Sequence, residues 1–357
     1  MKMKTLLLGS AAAFTLAGAN AQAADLSVAE PVDYVRVCDA FGTGYYYIPG
    51  TDTCLKISGL VRFETIFEED DVAYGDADDP EHLDDWRFHT RGTIIVESKS
   101  MTDWGPLYTY IEAESNWERD FDDGGAFTVQ EAYVSLGPIL AGKAQSAFDN
   151  GGGYTYEGYD LTDNKPNQLQ LSWALNGFGI ILAAEDPYQR YDEGFPNVVS
   201  ADTDFLDNPS SEVGDIPDLV AAITAEGNNW SGKLGFLYSD YYEGLWAVQG
   251  AVEFKVFGND GFLIHAMYGD ADDVGSQWAI LASYKHFWQS NLYSAVTVRY
   301  DDVDADVGDD TDGIHVAFNT VYSPVEDFAV GAEVRYTDID DDDDWSGLIR
   351  IQRDFGG

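Results

Sequence analysis

The sequence has few of the residues on which most catalytic and metal-binding functions depend. Of its 357 residues, 2 are Cys, 5 are His and 19 are Lys or Arg, against 64 Asp or Glu. A formal net charge of −45 argues against a nucleic-acid partner, because binding to phosphates needs a basic surface. The sequence therefore predicts neither an enzyme nor a cofactor, because no HExxH or GxSxG motif accompanies the scattered histidines His82, His89, His265, His286 and His315.

Long apolar runs are also missing beyond the N-terminus, where runs such as residues 178–184 are far shorter than the roughly 20 residues that a spanning helix needs. The N-terminus itself carries Lys2 and Lys4, an apolar run over residues 5–19 and then Ala21-Gln22-Ala23. This pattern predicts a signal peptide over residues 1–23, since the apolar run is too short for a membrane anchor. Without Lys2 and Lys4, 17 basic residues face all 64 acidic ones, which gives a formal charge of −47.

The two cysteines lie in an N-terminal segment, residues 24–56, with a loop rich in Gly and Tyr between them. In an exported chain Cys38 and Cys54 are expected to form a disulfide, worth about 3 kcal/mol by loop closure. Two free thiols are the alternative.

From residue 57 onward, apolar and polar residues alternate with period two, which is typical of strands. Val61, Phe63 and Phe67 fall on one face, and Arg62 and Glu64 on the other. A soluble β-sandwich also alternates, and the eighth segment could instead be a short helix. Sixteen segments follow this pattern: 57–68, 86–99, 107–119, 126–136, 139–144, 167–175, 178–186, 218–225, 230–239, 245–256, 262–269, 276–287, 291–301, 312–322, 328–337 and 344–355.

The connections between these segments alternate between short turns and long acidic loops, and aromatic residues fall at the segment ends. An even strand number, one trimmed end and two aromatic belts are typical of a barrel that crosses an outer membrane. The third long connection, residues 144–166, contains Gly151-Gly152-Gly153 and lacks any periodicity, which favours a functional loop. We therefore predict an all-β fold: a transmembrane antiparallel β-barrel of about 16 strands over residues 57–355, with residues 144–166 folded into the lumen as a constriction loop.

Several short motifs stand out along the chain, namely Tyr34 to Ala40 with Gly42 and Gly44, Tyr47 to Thr51, Cys54-Leu55, Gly59, Val61-Arg62, Trp86-Arg87, Thr90-Arg91 and Leu348 to Arg353. These motifs resemble those of the alphaproteobacterial general porins of the rhizobial and brucella type. The N-terminal block is the most specific part, and looser matches extend through the chain. The resemblance implies a sixteen-stranded outer-membrane porin that forms a homotrimer; one difference is that Gly356 and Gly357 follow Phe355, where such barrels usually end on an aromatic residue.

Barrel closure would bring inward arginines from both ends of the chain together as a basic wall, comprising Arg62, Arg87, Arg91, Arg335 and Arg350. A loop leaving the fifth strand would present acidic residues to that wall, namely Asp149, Glu157, Asp160 and Asp163. Two such groups would set a transverse field across the pore. The alternative is that the arginines only pair with inward Glu64, Glu97 and Glu333 to hold the wall.

The sequence thus predicts a passive diffusion pore in the bacterial outer membrane for ions and small hydrophilic solutes, with a modest preference for cations. Its expected partners are outer-membrane lipids, those solutes and two further copies of the chain, with weak divalent cation binding at the acidic loops. A substrate-selective channel of the same fold is the first alternative. An outer-membrane hydrolase and an adhesin are alternatives from other classes.

Overall fold

A computed structural model describes residues 36–68, 86–118, 126–187, 216–240, 244–272, 275–306, 310–340 and 342–356. The predicted signal peptide, residues 1–23, lies outside these residues and stays a prediction. The described residues form a short strand, β1 (Tyr46–Tyr47), and sixteen long strands: β2 (Cys54–Glu68), β3 (Trp86–Thr102), β4 (Gly105–Glu118), β5 (Thr128–Leu136), β6 (Ile139–Lys143), β7 (Asn167–Leu175), β8 (Phe178–Glu185), β9 (Asp218–Glu226), β10 (Trp230–Ser239), β11 (Leu245–Lys255), β12 (Gly261–Ala271), β13 (Gly275–Gln289), β14 (Leu292–Ala305), β15 (Thr311–Val325), β16 (Phe328–Ile339) and β17 (Asp342–Phe355).

The sixteen long strands form one closed antiparallel barrel. Each pairs with its sequence neighbours, and β17 pairs with β2 from Ser346↔Glu68 to Phe355↔Gly59. Closure leaves no free sheet edge, which is what a lipid environment requires. The predicted strand count and fold class are confirmed, and the eighth segment is a strand, β9, rather than a short helix.

One row of side chains on each strand is apolar and exposed, while the other row faces the lumen. On β2, Val61 and Phe67 are exposed, whereas Arg62 and Glu64 bond to side chains of neighbouring strands. The same sorting on β3 exposes Trp86, Phe88 and Ile94. An outward charge at mid-membrane would cost about 2–4 kcal/mol for Arg or Lys, so the apolar row marks the lipid-facing side.

Exposed aromatic side chains lie near both ends of the strands. Trp86, Trp117 and Trp345 are at the long-loop end, and Phe178 and Tyr322 are at the short-turn end. Amphipathic aromatic rings favour the headgroup level of a bilayer, so the two belts predicted from the sequence are present.

The start of the described chain is a compact hairpin at the short-turn end. The predicted disulfide joins Cys38 to Cys54, at a sequence separation of 16, and buried Tyr45 packs with both cysteines. Strand β1 pairs with the start of β2 through Tyr47↔Cys54, so the first barrel strand begins at Cys54 rather than at residue 57. Within the described residues, no helix is both long and apolar enough to cross a membrane.

Candidate functional site in the barrel lumen

The connection between β6 and β7, residues 144–166, is the longest connection that the structure describes throughout. Its two ends are joined by backbone hydrogen bonds from Ala144 N to the Pro166 carbonyl (3.2 Å) and from Ser146 N to the Asn164 carbonyl (2.8 Å). The buried carboxylate of Glu185 on β8 accepts bonds from the Ser146 hydroxyl and the Ala147 amide. The root of this connection is therefore fixed to the barrel wall.

Phe148 anchors the connection further along. Its side chain is fully buried, together with Ala147 and Leu161 of the connection, against small or apolar inward side chains of β8–β13. The Phe148 carbonyl accepts a bond from Gln249 on β11, and the Asp149 carbonyl accepts one from Lys233 on β10. The wall residues of this apolar seat are Ala183, Val220, Leu237, Ala247, Met267 and Ala279.

The tip of the connection bonds to the inward rows of β13, β14 and β16. The Tyr154 amide donates to Ser283 Oγ (2.9 Å), and the Thr155 hydroxyl donates to Thr297 Oγ1 (2.7 Å). On β16, the Glu333 carboxylate accepts the backbone amides of Tyr156 and Glu157. Contacts of the connection thus run along the wall from β8 to β16.

Two glycines permit these close approaches. A Cβ atom at Gly153 would collide with the Thr297 side chain, and one at Gly331 of β16 would collide with the Tyr156 hydroxyl. Glycine removes both obstacles, so wall and connection are matched at the tip.

Two tyrosines at the tip lie against basic side chains of the wall. Lys285 Nζ is 4.3 Å from the centroid of the Tyr154 ring, and Arg350 Cζ is 3.9 Å from that of Tyr156. Both are cation–π distances. Burial raises the pKa of both tyrosines, so their hydroxyls are neutral at ordinary pH, and Tyr154 donates its hydroxyl to Glu253 (2.7 Å).

The five arginines predicted as a basic wall do lie on four consecutive strands, β16, β17, β2 and β3. Four of them have acidic partners, through the ion pairs Arg87–Glu68, Arg87–Glu118, Arg91–Glu114 (3.3 Å), Arg335–Glu333 (2.9 Å) and Arg350–Glu64. Among the described residues Arg62 has no carboxylate partner and donates to Gln352 Oε1 at 2.9 Å. Glu64 and Glu333 pair with arginines as the alternative expected, whereas Glu97 lies 3.6 Å from Lys56 rather than beside an arginine. The arrangement thus combines paired arginines with one guanidinium, that of Arg62, whose charge is not neutralised by a contact with a described residue.

The four acidic residues predicted to face that wall fall into two groups. Glu157 alone contacts it, 3.5 Å from Arg335. Asp149, Asp160 and Asp163 instead cluster with carboxylate oxygens within 4.8 Å of one another. Burial and the neighbouring Asp149 carboxylate raise the pKa of Asp160 to about 7, so this carboxyl titrates near neutral pH.

The cluster is held by neighbours that the sequence did not single out. Gln145 donates to Asp149 (2.7 Å) and Asp163 (2.9 Å), and the Thr162 hydroxyl donates to Asp149 (3.1 Å). Gln249 was missed in the same way, and its place in the inward row was the available signal. Glu333 was expected as an inward partner of the arginines, but its bonds to the loop were not predicted. Both side chains are almost completely buried on a face that should meet water.

A family model described as "Porin subfamily" matches residues 25–353. Two curated relatives, both called porin Omp2b, come from Brucella suis and Brucella abortus (strain 2308). Each is 30% identical to this chain, over 398 and 388 residues respectively, covering 99% of this chain and 100% of the relative.

Solved structures of outer-membrane channels share the fold. The channel DcaP of Acinetobacter baumannii aligns with a TM-score of 0.69 at 16% identity, covering 87% of this chain and 99% of that one. The loop L8 deletion mutant of OmpT from Vibrio cholerae aligns with a TM-score of 0.61 at 14% identity, covering 85% and 100%. The resemblance seen in the sequence is confirmed: the chain belongs to the porin family and is a non-enzymatic channel protein of the bacterial outer membrane.

Proposed function

We propose that the chain is a passive diffusion channel for ions and small hydrophilic solutes, in which residues 144–166 form the constriction. The observation that supports this most directly is the series of contacts from β8 to β16, which lays the connection along the inward wall. The inward rows of β17 and β2–β5 then border the open passage. A loop attached at its root, its middle and its tip narrows the lumen without closing it.

The charges around this passage favour oriented entry of polar solutes. Arg62, Arg91 and Arg350 lie on one side, while Glu157 and the cluster of Asp149, Asp160 and Asp163 belong to the loop. Charges of opposite sign across a narrow aqueous gap set up a transverse field. Because most of the arginines are ion-paired, the field arises chiefly from Arg62 and from the loop carboxylates.

The balance of charge favours cations over anions. The formal charge of −47 that remains without Lys2 and Lys4 draws cations to the mouth, an effect screened beyond about 10 Å at 0.1 M salt. The acidic ends of β14–β17, from Asp301 to Asp304 and Asp342 to Asp344 among others, lie at the long-loop end. Weak binding of divalent cations there, and also at the Asp149 cluster, belongs to the same proposal.

The protomer is further proposed to assemble as a homotrimer among outer-membrane lipids. Supporting this, one Vibrio cholerae OmpT structure is described as a trimer form, with a TM-score of 0.56 over 85% of this chain and 100% of that one. The mass of the detergent-solubilised protein, measured by light scattering, tests it. A monomeric mass that persists in mild detergent would contradict the trimer.

Planar-bilayer recording tests the channel proposal. The purified protein should give stepwise, ohmic conductance, and reversal potentials in a KCl gradient should show a modest cation preference that fades as salt rises. Anion preference at low salt would refute the charge argument. Voltage-independent conductance that is blocked only by one particular solute would favour the substrate-selective channel instead.

A further inference from the structure

A group of tyrosines and carboxylates lies on the inward faces of β4 and β5, outside the constriction described above. We call it the tyrosine–carboxylate patch, and it consists of Tyr108, Tyr110 and Glu112 on β4 with Glu131 and Tyr133 on β5. The strand register places Glu112 opposite Glu131 and Tyr110 opposite Tyr133. The patch therefore stacks two like pairs, carboxylates nearer the loop root and rings nearer the short-turn end.

The three tyrosine rings pack together on the inward face of the wall, and Tyr110 and Tyr133 each leave one ring face free of the other. Tyr110 and Tyr133 are stacked, with centroids 5.2 Å apart and an interplanar angle of 19°, and Tyr108 meets Tyr133 at 6.0 Å in an edge contact. All three side chains are partly exposed. The negative electrostatic potential of a tyrosine face attracts cations within about 6 Å of its centroid.

The polar edges of the rings are already occupied. The Tyr108 hydroxyl donates to Glu97 (2.8 Å), and the Tyr110 hydroxyl donates to Glu112 (2.6 Å). What remains for a solute is the aromatic face and the free acceptor capacity of the carboxylates. That combination suits a positively charged organic group better than a sugar, which would also need free donors for its hydroxyl oxygens.

The carboxylate pair is not neutralised by a contact. Within the part of the chain that the structure describes, neither Glu112 nor Glu131 takes part in an ion pair; Glu131 accepts a hydrogen bond from the Gln145 backbone, and Lys165 acts on it through space without an ion-pair contact. Two like charges directly opposite each other on neighbouring strands destabilise the sheet. A cation bound between them would relieve that repulsion.

The adjacent wall already binds an ammonium group in this way. Lys99 Nζ lies 4.7 Å from the ring centroid of Tyr45 and 4.9 Å from that of Tyr108, beside the Glu97 carboxylate that accepts both tyrosine hydroxyls. This is a tethered ammonium on aromatic faces with a carboxylate next to it. The stacked pair with Glu112 and Glu131 repeats these elements, with Lys165 near Glu131 but, among the described residues, no basic side chain on the Tyr110 or Tyr133 ring.

We propose that the tyrosine–carboxylate patch is a luminal binding site for small organic ammonium ions, which stack on Tyr110 and Tyr133 while Glu112 and Glu131 balance their charge. The inference deepens the diffusion function proposed above and rests on it. Ammonium solutes passing beside the loop root meet the carboxylates first and the rings next. They should therefore be held and concentrated there relative to neutral solutes of the same size.

Choline is a suitable probe, because its quaternary ammonium group favours aromatic faces and cannot lose its charge. In bilayers at low KCl concentration, added choline should reduce the potassium current through the wild-type protein in a saturable manner, and glucose should not. The Tyr110→Leu/Tyr133→Leu variant should raise the half-blocking concentration about fivefold to tenfold. Glu112→Gln/Glu131→Gln should raise it by a similar factor.

Tyr293→Leu is the matched control, since Tyr293 is a half-buried inward tyrosine on β14 that packs on Phe287. Its half-blocking concentration should stay within about twofold of wild type, and retention of an SDS-resistant folded band verifies that each variant folds. An unchanged choline block in both double variants would overturn the inference, as would saturable glucose block lost with the rings. Absence of any ionic current from wild type would instead defeat the diffusion function itself.

Discussion

Two arcs of the same barrel wall carry different inward rows. The arc from β8 to β13 presents small and apolar side chains such as Val220, Leu237 and Met267, whereas the arc from β2 to β4 presents arginines and glutamates. A wall facing water throughout would have no reason to be apolar, because burying apolar area is favourable by about 25 cal/mol/Å². The difference shows that the first arc packs against the loop, and it supports the proposal that the second arc lines the passage.

Removing the loop tip should abolish the difference between the two arcs and give the largest change in conductance. Deleting residues 154–159 removes the hydrogen bonds that the loop makes to Ser283, Thr297 and Glu333, so conductance should rise about twofold or more and larger sugars should enter. Single-channel recording and liposome swelling with sugars of graded size measure both. A Gly/Ser replacement of equal length separates contact from length, and unchanged conductance in the folded deletion variant would place the constriction elsewhere.

Truncating Phe148 should weaken the packing of the loop in the apolar seat without removing any charge. Phe148→Ala leaves a cavity among Ala147, Leu161 and the β8–β13 wall, at a cost of about 3–5 kcal/mol to the folded state. The temperature at which the SDS-resistant band disappears should fall. Phe257→Ala is the control, because that side chain is 77% exposed in a turn. An equal fall in this temperature for the control would show that Phe148 contributes no more to stability than an exposed phenylalanine.

Reversing the charge of two arginines on the other arc should change the ion selectivity of the channel. Arg62→Glu with Arg91→Glu removes the guanidinium that lacks a carboxylate contact and a neighbour that has one. Reversal potentials in a KCl gradient should shift clearly toward cations, most strongly at low salt. Arg353→Glu, an exposed arginine at the short-turn end, should change them little, and untouched selectivity in the double variant would remove the basic wall from the constriction.

The smallest expected effect concerns the Asp149, Asp160 and Asp163 cluster. With the Asp160 pKa at about 7, ionisation between pH 6 and 8 should raise the cation preference about twofold or less. The folded pKa lies above the usual value of 3.8, so the native state binds more protons from about pH 4 to 7 and its stability falls as pH rises through that window.

Asp160→Asn should flatten both the selectivity profile and the stability profile across that pH range. Asp103→Asn, at an exposed turn position, provides the control for loss of one carboxylate. Identical pH profiles in wild type and Asp160→Asn would assign the titration to another group.

The strands could be predicted from the sequence because lipid on one side and water on the other impose period two. Outside the membrane that constraint ends, so the sequence pattern stopped at residue 301, whereas β14 continues through Asp302 and Asp304 to Ala305. The proximity of Arg62 and Arg350 could be predicted from barrel closure alone, because closure pairs the last strand with the first. Glu64 was expected as a partner of the arginines, but which arginine it pairs with was not predicted, because the pairing of Arg350 with Glu64 depends on the stagger between β17 and β2, which alternation does not encode.

The candidate site was predictable to a similar degree. Gly151-Gly152-Gly153 and the missing periodicity pointed to residues 144–166, but the separation of Glu157 from the three aspartates depends on the path of the loop. That path is set by long-range contacts such as Glu333 with two backbone amides. No local pattern of residues signals them.

The hydrogen bonds that Glu333 accepts from the Tyr156 and Glu157 amides also affect how steady the open-channel current is. The loop is held at its tip by β16 and at its root by β8. We therefore expect it to stay in one position in the lumen rather than to move between positions. A loop that moved between positions would add noise to the open-channel current, whereas a fixed loop leaves that current steady. Long recordings at constant voltage should therefore show quiet plateaus, and Glu333→Gln should introduce brief, partial steps within them.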